Sequence, residues 1–311
     1  MTLLHRDGRE KKGMIRYAAC VLAIFILIHV PAHFTSGAIP LLSCLIPDSY
    51  AGHGARENDD SALDPQLEGF DLVYVFPDTV PFRAGERLEF KIQYGLIYAG
   101  DATLEVKGIT MIDSIRAYHI VSEARTREAF DYFFKVRDRV ESYMDTEILN
   151  SLRFEKHLRE GNFKKDEEVI FDQRRHVAIY PDGEMMIAPN TQDFLSALYY
   201  FRSLSLDVGQ AISMANHTGK KNYPIYIKVL RRETVSVPAG EFDCIAVEPV
   251  LQTSSIFKHR GKLTIWLTDD KLRMPVLLRS KVVVGSFEAV LTDYTLGGWE
   301  GRATSSETDG E

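Results

Sequence analysis

Asp269 and Asp270 sit side by side in "WLTDDKLRMPV", residues 266–276, and two carboxyl groups that converge on one substrate atom can serve as general acid and base. Neighbouring side chains of an extended chain point to opposite faces, so this pair diverges. Polar Thr268 to Lys271 also separate two apolar runs, Leu263 to Leu267 and Met274 to Leu278, as a hairpin connection does. A turn is therefore expected there, with Pro275 at the start of the next strand.

Asp138 is the other acid to weigh. In "VRDRVES", Arg137, Arg139 and Glu141 share one face of a strand, while Asp138 shares the opposite face with Val136, Val140 and Ser142. A carboxylate on an apolar face needs a partner. A structural ion pair or a backbone hydrogen bond is the plainer expectation; a ligand-orienting or acid–base group in a cavity is the sharper one. Basic residues recur around it at Arg125, Arg127, Arg137, Arg139, Arg153, Lys156 and Arg159. They form either an anion-binding stripe for lipid head groups or acidic glycans, or the solvated outer face of a sheet.

Other chemistries find little support. His53, His119, His157, His176, His217 and His259 have no second His or Cys at ligand spacing, so no metal and no cofactor site is expected. His119 and Glu123 would share one strand face, as a hydrogen-bonded or exposed pair. No serine or cysteine sits in a nucleophile elbow, and Cys244 in "FDCIAVEP" is expected in the core. Neither a P-loop nor a G-x-G-x-x-G occurs.

Some element must position these residues, and the chain is long enough to build one. It has 311 residues, 45% of them hydrophobic and 11% aromatic, sufficient for a sizeable core. Its net charge of −7 argues against a nucleic-acid surface. Residues 1–38 have the order of a signal peptide: basic Arg6 to Arg16, an apolar run Tyr17 to Val30, then Ser36-Gly37-Ala38. That run is too short to cross a bilayer of ~30 Å as a helix. Periplasmic export follows. An uncleaved membrane anchor, or lipidation at Cys44 in "LLSC", stands as the alternative, and leader or lipid would be the sole membrane contact.

Residues 39–81 read as a flexible linker, 82–296 as a β-rich domain and 297–311 as a disordered tail. Expected strands are 87–94, 102–108, 118–127, 137–144, 152–159, 168–171, 176–180, 225–231, 244–252, 263–267, 276–284 and 287–294. Helical spacing appears in Asn190 to Leu206, where Phe194, Leu198, Phe201 and Leu204 form one stripe. Asn190 or Thr191 would cap it, and Tyr199 and Tyr200 add amphipathic rings beside the stripe. Phe130, Phe133 and Phe134 are expected in the core. "ESYMDTEILNSLRFEKHLREGNF" can also be laid over "LTIWLTDDKLRMPVLLRSKVVVGSF" with one gap, which suggests two similar sheet halves flanking the helix.

Five segments in order carry a family resemblance: "FRAGERLEFKIQYGLIYAGDATLEV", "VRDRVESYMD", "FLSALYYFRSLSLDVG", "VPAGEFDCIAVEP" and "WLTDDKLRMPV". Together, over roughly residues 82 to 294, they resemble the Domain of Unknown Function 3108 family of bacterial exported proteins. That resemblance brings no activity and no catalytic residues. The unit of aromatic strand, acidic turn and basic strand is also remotely similar to periplasmic lipoprotein carriers, whose curved, half-open sheet wraps an apolar cavity closed by helices.

The expected fold is mainly β: a large curved antiparallel sheet or half-open barrel, of two similar halves, with one crossing helix. The expected function is non-enzymatic binding or carriage of an apolar, lipid-like ligand. Its candidate contacts are Asp138, Arg137, Arg139, Phe194, Leu198, Tyr199, Phe201 and Trp266. Two alternatives remain open: an envelope hydrolase using Asp138 with Asp269 or Asp270, and a scaffold that pairs with other envelope proteins through its sheet edges.

Overall fold

The structure, a computed structural model, describes residues 67–298 except 68, 74–75, 78, 133, 252–261 and 282–284. The leader, Cys20, Cys44, Phe133 and the tail beyond 298 lie outside the described residues. Among the described residues, fifteen strands form one open, mixed sheet. In chain order they begin with β1 (Asp71–Val73), β2 (Glu86–Tyr94), β3 (Ile97–Ile112) and β4 (Ile115–Thr126). A short helix α1 (Glu128–Asp131) leads to β5 (Arg137–Asp145), β6 (Ser151–Glu160), β7 (Phe163–Asp172), β8 (Val177–Tyr180) and β9 (Gly183–Met186). Helix α2 (Phe194–Arg202) precedes β10 (Gln210–Thr218), β11 (Lys221–Val237), β12 (Gly240–Leu251), β13 (Leu263–Thr268), β14 (Pro275–Lys281) and β15 (Ser286–Leu296).

The order across the sheet is β1-β10-β11-β12-β13-β14-β15-β2-β3-β4-β5-β6-β7-β8-β9. The two chain halves therefore meet where β15 pairs with β2, and β1–β10 is the parallel pair. Alternation decides which face is core. Leu291, Phe90, Ala102, Ala124 and Asp138 stand opposite one another across β15, β2, β3, β4 and β5, and all five are buried. The two-residue turn at Asp113-Ser114, with φ of 45° and 69°, has the left-handed pair a tight hairpin needs. Gly100 has a different purpose: a Cβ there would lie 2.2 Å from the Arg125 carbonyl oxygen, so β3 and β4 approach closely only because the side chain is absent.

The strand edges come near each other without closing a barrel. Asn222 Nδ2, near the start of β11, donates to the Met186 carbonyl at 2.8 Å, and Gln192 forms a parallel bridge with Asn216. Three strands are not visible as alternation. β1 has three residues and lies inside the 39–81 stretch expected to be linker, where Leu67 is also buried. β9 has four, mostly exposed, and β10 is buried on both faces.

The β11–β12 hairpin is longer than its apolar stretch suggests. It carries a bulge between Val229 and Arg231, where strands bend. Its tip reaches across the sheet's outer face, where Ala239 N donates to the Leu291 carbonyl at 3.2 Å. Leu230, Val235, Val237 and Phe242 are partly buried against the larger core, to which Trp266 and Leu277 belong. Phe130 and Phe134, expected in the core, are only half-buried.

Candidate functional site

Helix α2 crosses the sheet between two hairpins, and each end is fixed by a buried charge. Asp193, not Asn190 or Thr191, is its N-cap. One Asp193 oxygen accepts from Leu195 N at 2.7 Å and Ser196 N at 2.9 Å; the other accepts from the Ser142 and Ser151 hydroxyls at 2.6 and 2.5 Å. Burial raises this carboxyl's pKa, while its four donors pull the other way. At the other end Arg202 forms a bidentate pair with Glu86 at 2.6 and 2.8 Å, both groups being buried. Arg202 also donates to the carbonyls of Arg273 and Leu272. A carboxylate at the N-terminus and a guanidinium at the C-terminus both suit the helix dipole.

The helix is buried almost all round, unlike the one-stripe expectation. Leu195 and Tyr199 enter the larger core, where Tyr199 meets Phe82 edge-on at 4.8 Å. Ala197 and Phe201 enter a smaller core with Ile212, Ile227, Val229 and Ile245. Tyr199 is thus sealed from water and does not mark a wet boundary. Phe194, Leu198 and Tyr200 are the half-buried positions of the helix, and the first two line a groove against β11–β14. All fourteen groove residues are apolar, including Phe201, Ile225, Val247, Ile265 and Leu278. The free space is about 80 Å³.

The other candidates lie elsewhere. Arg137 and Arg139 face outward from β5, beside an open cleft of about 470 Å³ with Glu89, Asp101 and Glu123. Arg137 is tied to Asp131 at 2.6 Å, and Arg139 to Glu141 at 2.6 Å and to Glu123. Arg153 and Arg159 likewise meet Glu168 and Asp166. This is the ion-paired outer face of a sheet. Lys156 departs from that stripe: it is buried on the core side against Glu167 at 3.2 Å, and burial pushes its pKa down to about 8. Trp266 stands on the face opposite the groove, donating to Glu233 at 2.6 Å beneath the Arg279 guanidinium.

Asp138 is buried as alternation requires, with Oδ1 accepting from Arg159 N at 2.7 Å. Its second oxygen is buried with no hydrogen-bond partner. Burial pushes both carboxyls up, to about 6 for Asp138 and about 7 for its neighbour Glu160. Asp269 and Asp270 belong to a turn, as expected. Asp270 Oδ1 accepts from Leu272 N and Arg273 N at 2.9 and 3.2 Å, while Asp269 pairs with Arg232 and Arg273. Neither joins Asp138, because five strands separate β13 from β5 in the sheet order. Cys244 is free and buried, and burial pushes its thiol up to about 12.

Residues 89–292, well over half of the chain, match the family described as "Protein of unknown function (DUF3108)". The chain belongs to that family. The DUF3108 match spans α2, the groove and both hairpins that hold the helix; Glu86 falls just before it. No curated protein matches the sequence. Among solved structures, the chain is similar to a β-barrel-like protein of family DUF1849 from Brucella abortus. That comparison has 8% identity and a TM-score of 0.47, covering 70% of this chain and 100% of the other. A candidate lipoprotein from Parabacteroides distasonis matches at 12% identity and a TM-score of 0.31, over 71% and 97% of the two chains. A candidate exported protein with a YmcC-like fold from Bacteroides fragilis matches at 12% identity and a TM-score of 0.27, over 71% and 98%.

The residues that sequence reasoning missed share one property: their meaning depends on distant partners. Arg202 and Glu86 are 116 residues apart, and Asp193 meets Ser142 across 51. A capping box at Asp193 and Ser196 was the one local signal available for the helix start.

Proposed function

We propose that this DUF3108 protein is an exported, non-enzymatic envelope protein that takes an apolar, lipid-like chain into the groove beside α2. One observation carries the reading: a wholly apolar lining opens between α2 and β11–β14, rimmed by the half-buried Phe194 and Leu198. Export to the periplasm rests on the basic, apolar and small-residue order of residues 1–38.

The present volume limits how the ligand enters. Sites for drug-sized ligands hold roughly 300–1,000 Å³, against about 80 Å³ here, so the groove admits only the end of a chain. Deeper entry requires Phe194 and Leu198 to rotate outward. Because Asp193 and Arg202 hold both ends of α2, the helix is a fixed wall and those two side chains are the gate.

Titration of the delipidated full-length protein with a fluorescent long-chain fatty acid tests this. Saturable binding is expected, weakened at least about tenfold, or 1.4 kcal/mol, by Leu198→Trp, which fills the groove while leaving the circular dichroism spectrum unchanged. Absence of binding by the wild type, or equal binding by the folded variant, overturns the reading.

A further inference from the structure

We propose that the outer face of β5 and β6 holds a divalent transition-metal ion of the zinc type, bound by Glu141, Glu155 and His157. Glu141 and Glu155 stand directly opposite each other in the β5–β6 register, and His157 follows two residues later on the same face of β6. One ligand atom from each of the three lies within 4.8 Å of the others. One imidazole nitrogen and two carboxylates are a donor set that zinc accepts, with water completing the coordination.

The surroundings orient these ligands as a metal site requires. Asp166 Oδ1 lies 2.7 Å from His157 Nδ1. A neutral ring that donates this N–H presents a bare Nε2 lone pair on its other side. That Nε2 faces Glu155 Oε2 at 3.8 Å, too far for a hydrogen bond and with two electron-rich atoms opposed. A cation between them removes the repulsion. Asp166 is itself held by Arg159 through both oxygens, at 2.7 and 3.0 Å. On the far side His119 Nε2 meets Glu141 Oε2 at 2.6 Å, its ring stacked on Tyr143 at 4.6 Å. His119 therefore positions Glu141 from the neighbouring strand, replacing the His119–Glu123 pairing expected from spacing.

The competing arrangement is a mesh of ion pairs. Arg139 contacts Glu141 at 2.6 Å and Arg153 contacts Glu155 at 2.9 Å, each through one oxygen of that carboxylate. A mesh without a metal uses Arg139, Arg153 and a protonated His157 turned towards Glu155 as its cations.

The chelator-treated full-length protein is titrated with Co²⁺, read by visible absorption, and with Zn²⁺, read by thermal unfolding. The expected result is saturable one-to-one binding that raises the melting temperature. His157→Ala and the isosteric Glu155→Gln should each weaken it at least tenfold. Asp166→Asn, which removes no ligand, should weaken it about 10- to 100-fold, as loss of an orienting partner does. The chain has nine histidines, so wild-type stoichiometry that survives in a folded Glu155→Gln, His157→Ala double variant places the metal elsewhere and overturns the proposal. Failure of the wild type to bind either ion overturns it too. If His157→Ala does not fold, Glu155→Gln and Asp166→Asn still decide.

Discussion

The β5–β6 and β13–β14 hairpins are built alike yet hold opposite ends of α2 by opposite means. Each turn is stapled by one aspartate: Asp145 Oδ1 accepts from Glu147 N and Ile148 N at 2.7 and 3.0 Å, and Asp270 Oδ1 from Leu272 N and Arg273 N. Each contains one left-handed residue, Leu149 at φ 60° and Arg273 at φ 46°. The β5–β6 hairpin then offers hydroxyl donors to Asp193, while the β13–β14 turn offers carbonyl acceptors to Arg202. The chain thus places one turn design on both sides of the helix and tunes each to the local sign of the helix dipole. This near-symmetry is the structural form of the internal echo in the sequence. What breaks the symmetry is the added buried Glu86, which makes the C-terminal anchor an ion pair.

The largest expected effect is at that anchor. Arg202→Met strands Glu86 without its partner and should cost about 3–5 kcal/mol in urea unfolding. Adding Glu86→Leu should recover most of the loss, because no buried charge then remains. Asp193→Ala should cost about 3 kcal/mol, combining a lost cap with two unsatisfied hydroxyls. If Arg202→Met costs less than 1 kcal/mol, α2 is not anchored at that end and is not a fixed wall.

The two turns should be matched in energy. Asp145→Ala and Asp270→Ala should each cost about 1 kcal/mol, since each removes an oxygen that serves two backbone N–H groups. Costs that differ by more than about 1 kcal/mol would show that the turns resemble each other in sequence but not in the strain they relieve.

A further effect concerns pH and the first sheet half alone. Natively, Asp138 and Glu160 keep their protons to about 6 and about 7, whereas ordinary unfolded carboxyls lose theirs near pH 4. Between those values the native state binds more protons than the unfolded chain, so the stability contributed by this pair falls as pH rises from about 4 to about 7. Asp138→Asn retains an acceptor for Arg159 N and faces Glu160 with a neutral amide. The variant should therefore gain on the wild type steadily across that window, measured as the difference between urea midpoints. Parallel curves would mean that Asp138 does not keep its raised pKa in the folded protein.

Several features were legible because they are local. Alternation in "VRDRVES" placed Asp138 inward and Arg137 and Arg139 outward, and it assigned Asp269-Asp270 to a turn before Pro275, all of which the structure contains. Helical spacing located α2, though not its cap or its half-buried positions. These successes share a cause: the side-chain period of a strand or helix is written within a few residues.

What only the tertiary structure decided is register and cover. Glu141 stands opposite Glu155, and His119 meets Glu141 instead of Glu123, because β4, β5 and β6 pair in one particular register. Trp266 lies on the face away from the groove, where Glu233 of β11 receives its indole N–H. Lys156 takes the inner face with Phe154 and Leu158 by alternation, and Glu167 on β7 is the partner it meets there. The sequence by itself determined which face each side chain takes. Which partner it meets there was set by contacts between strands and helices far apart in the chain, where burial and hydrogen bonding across the whole sheet outweigh local preference.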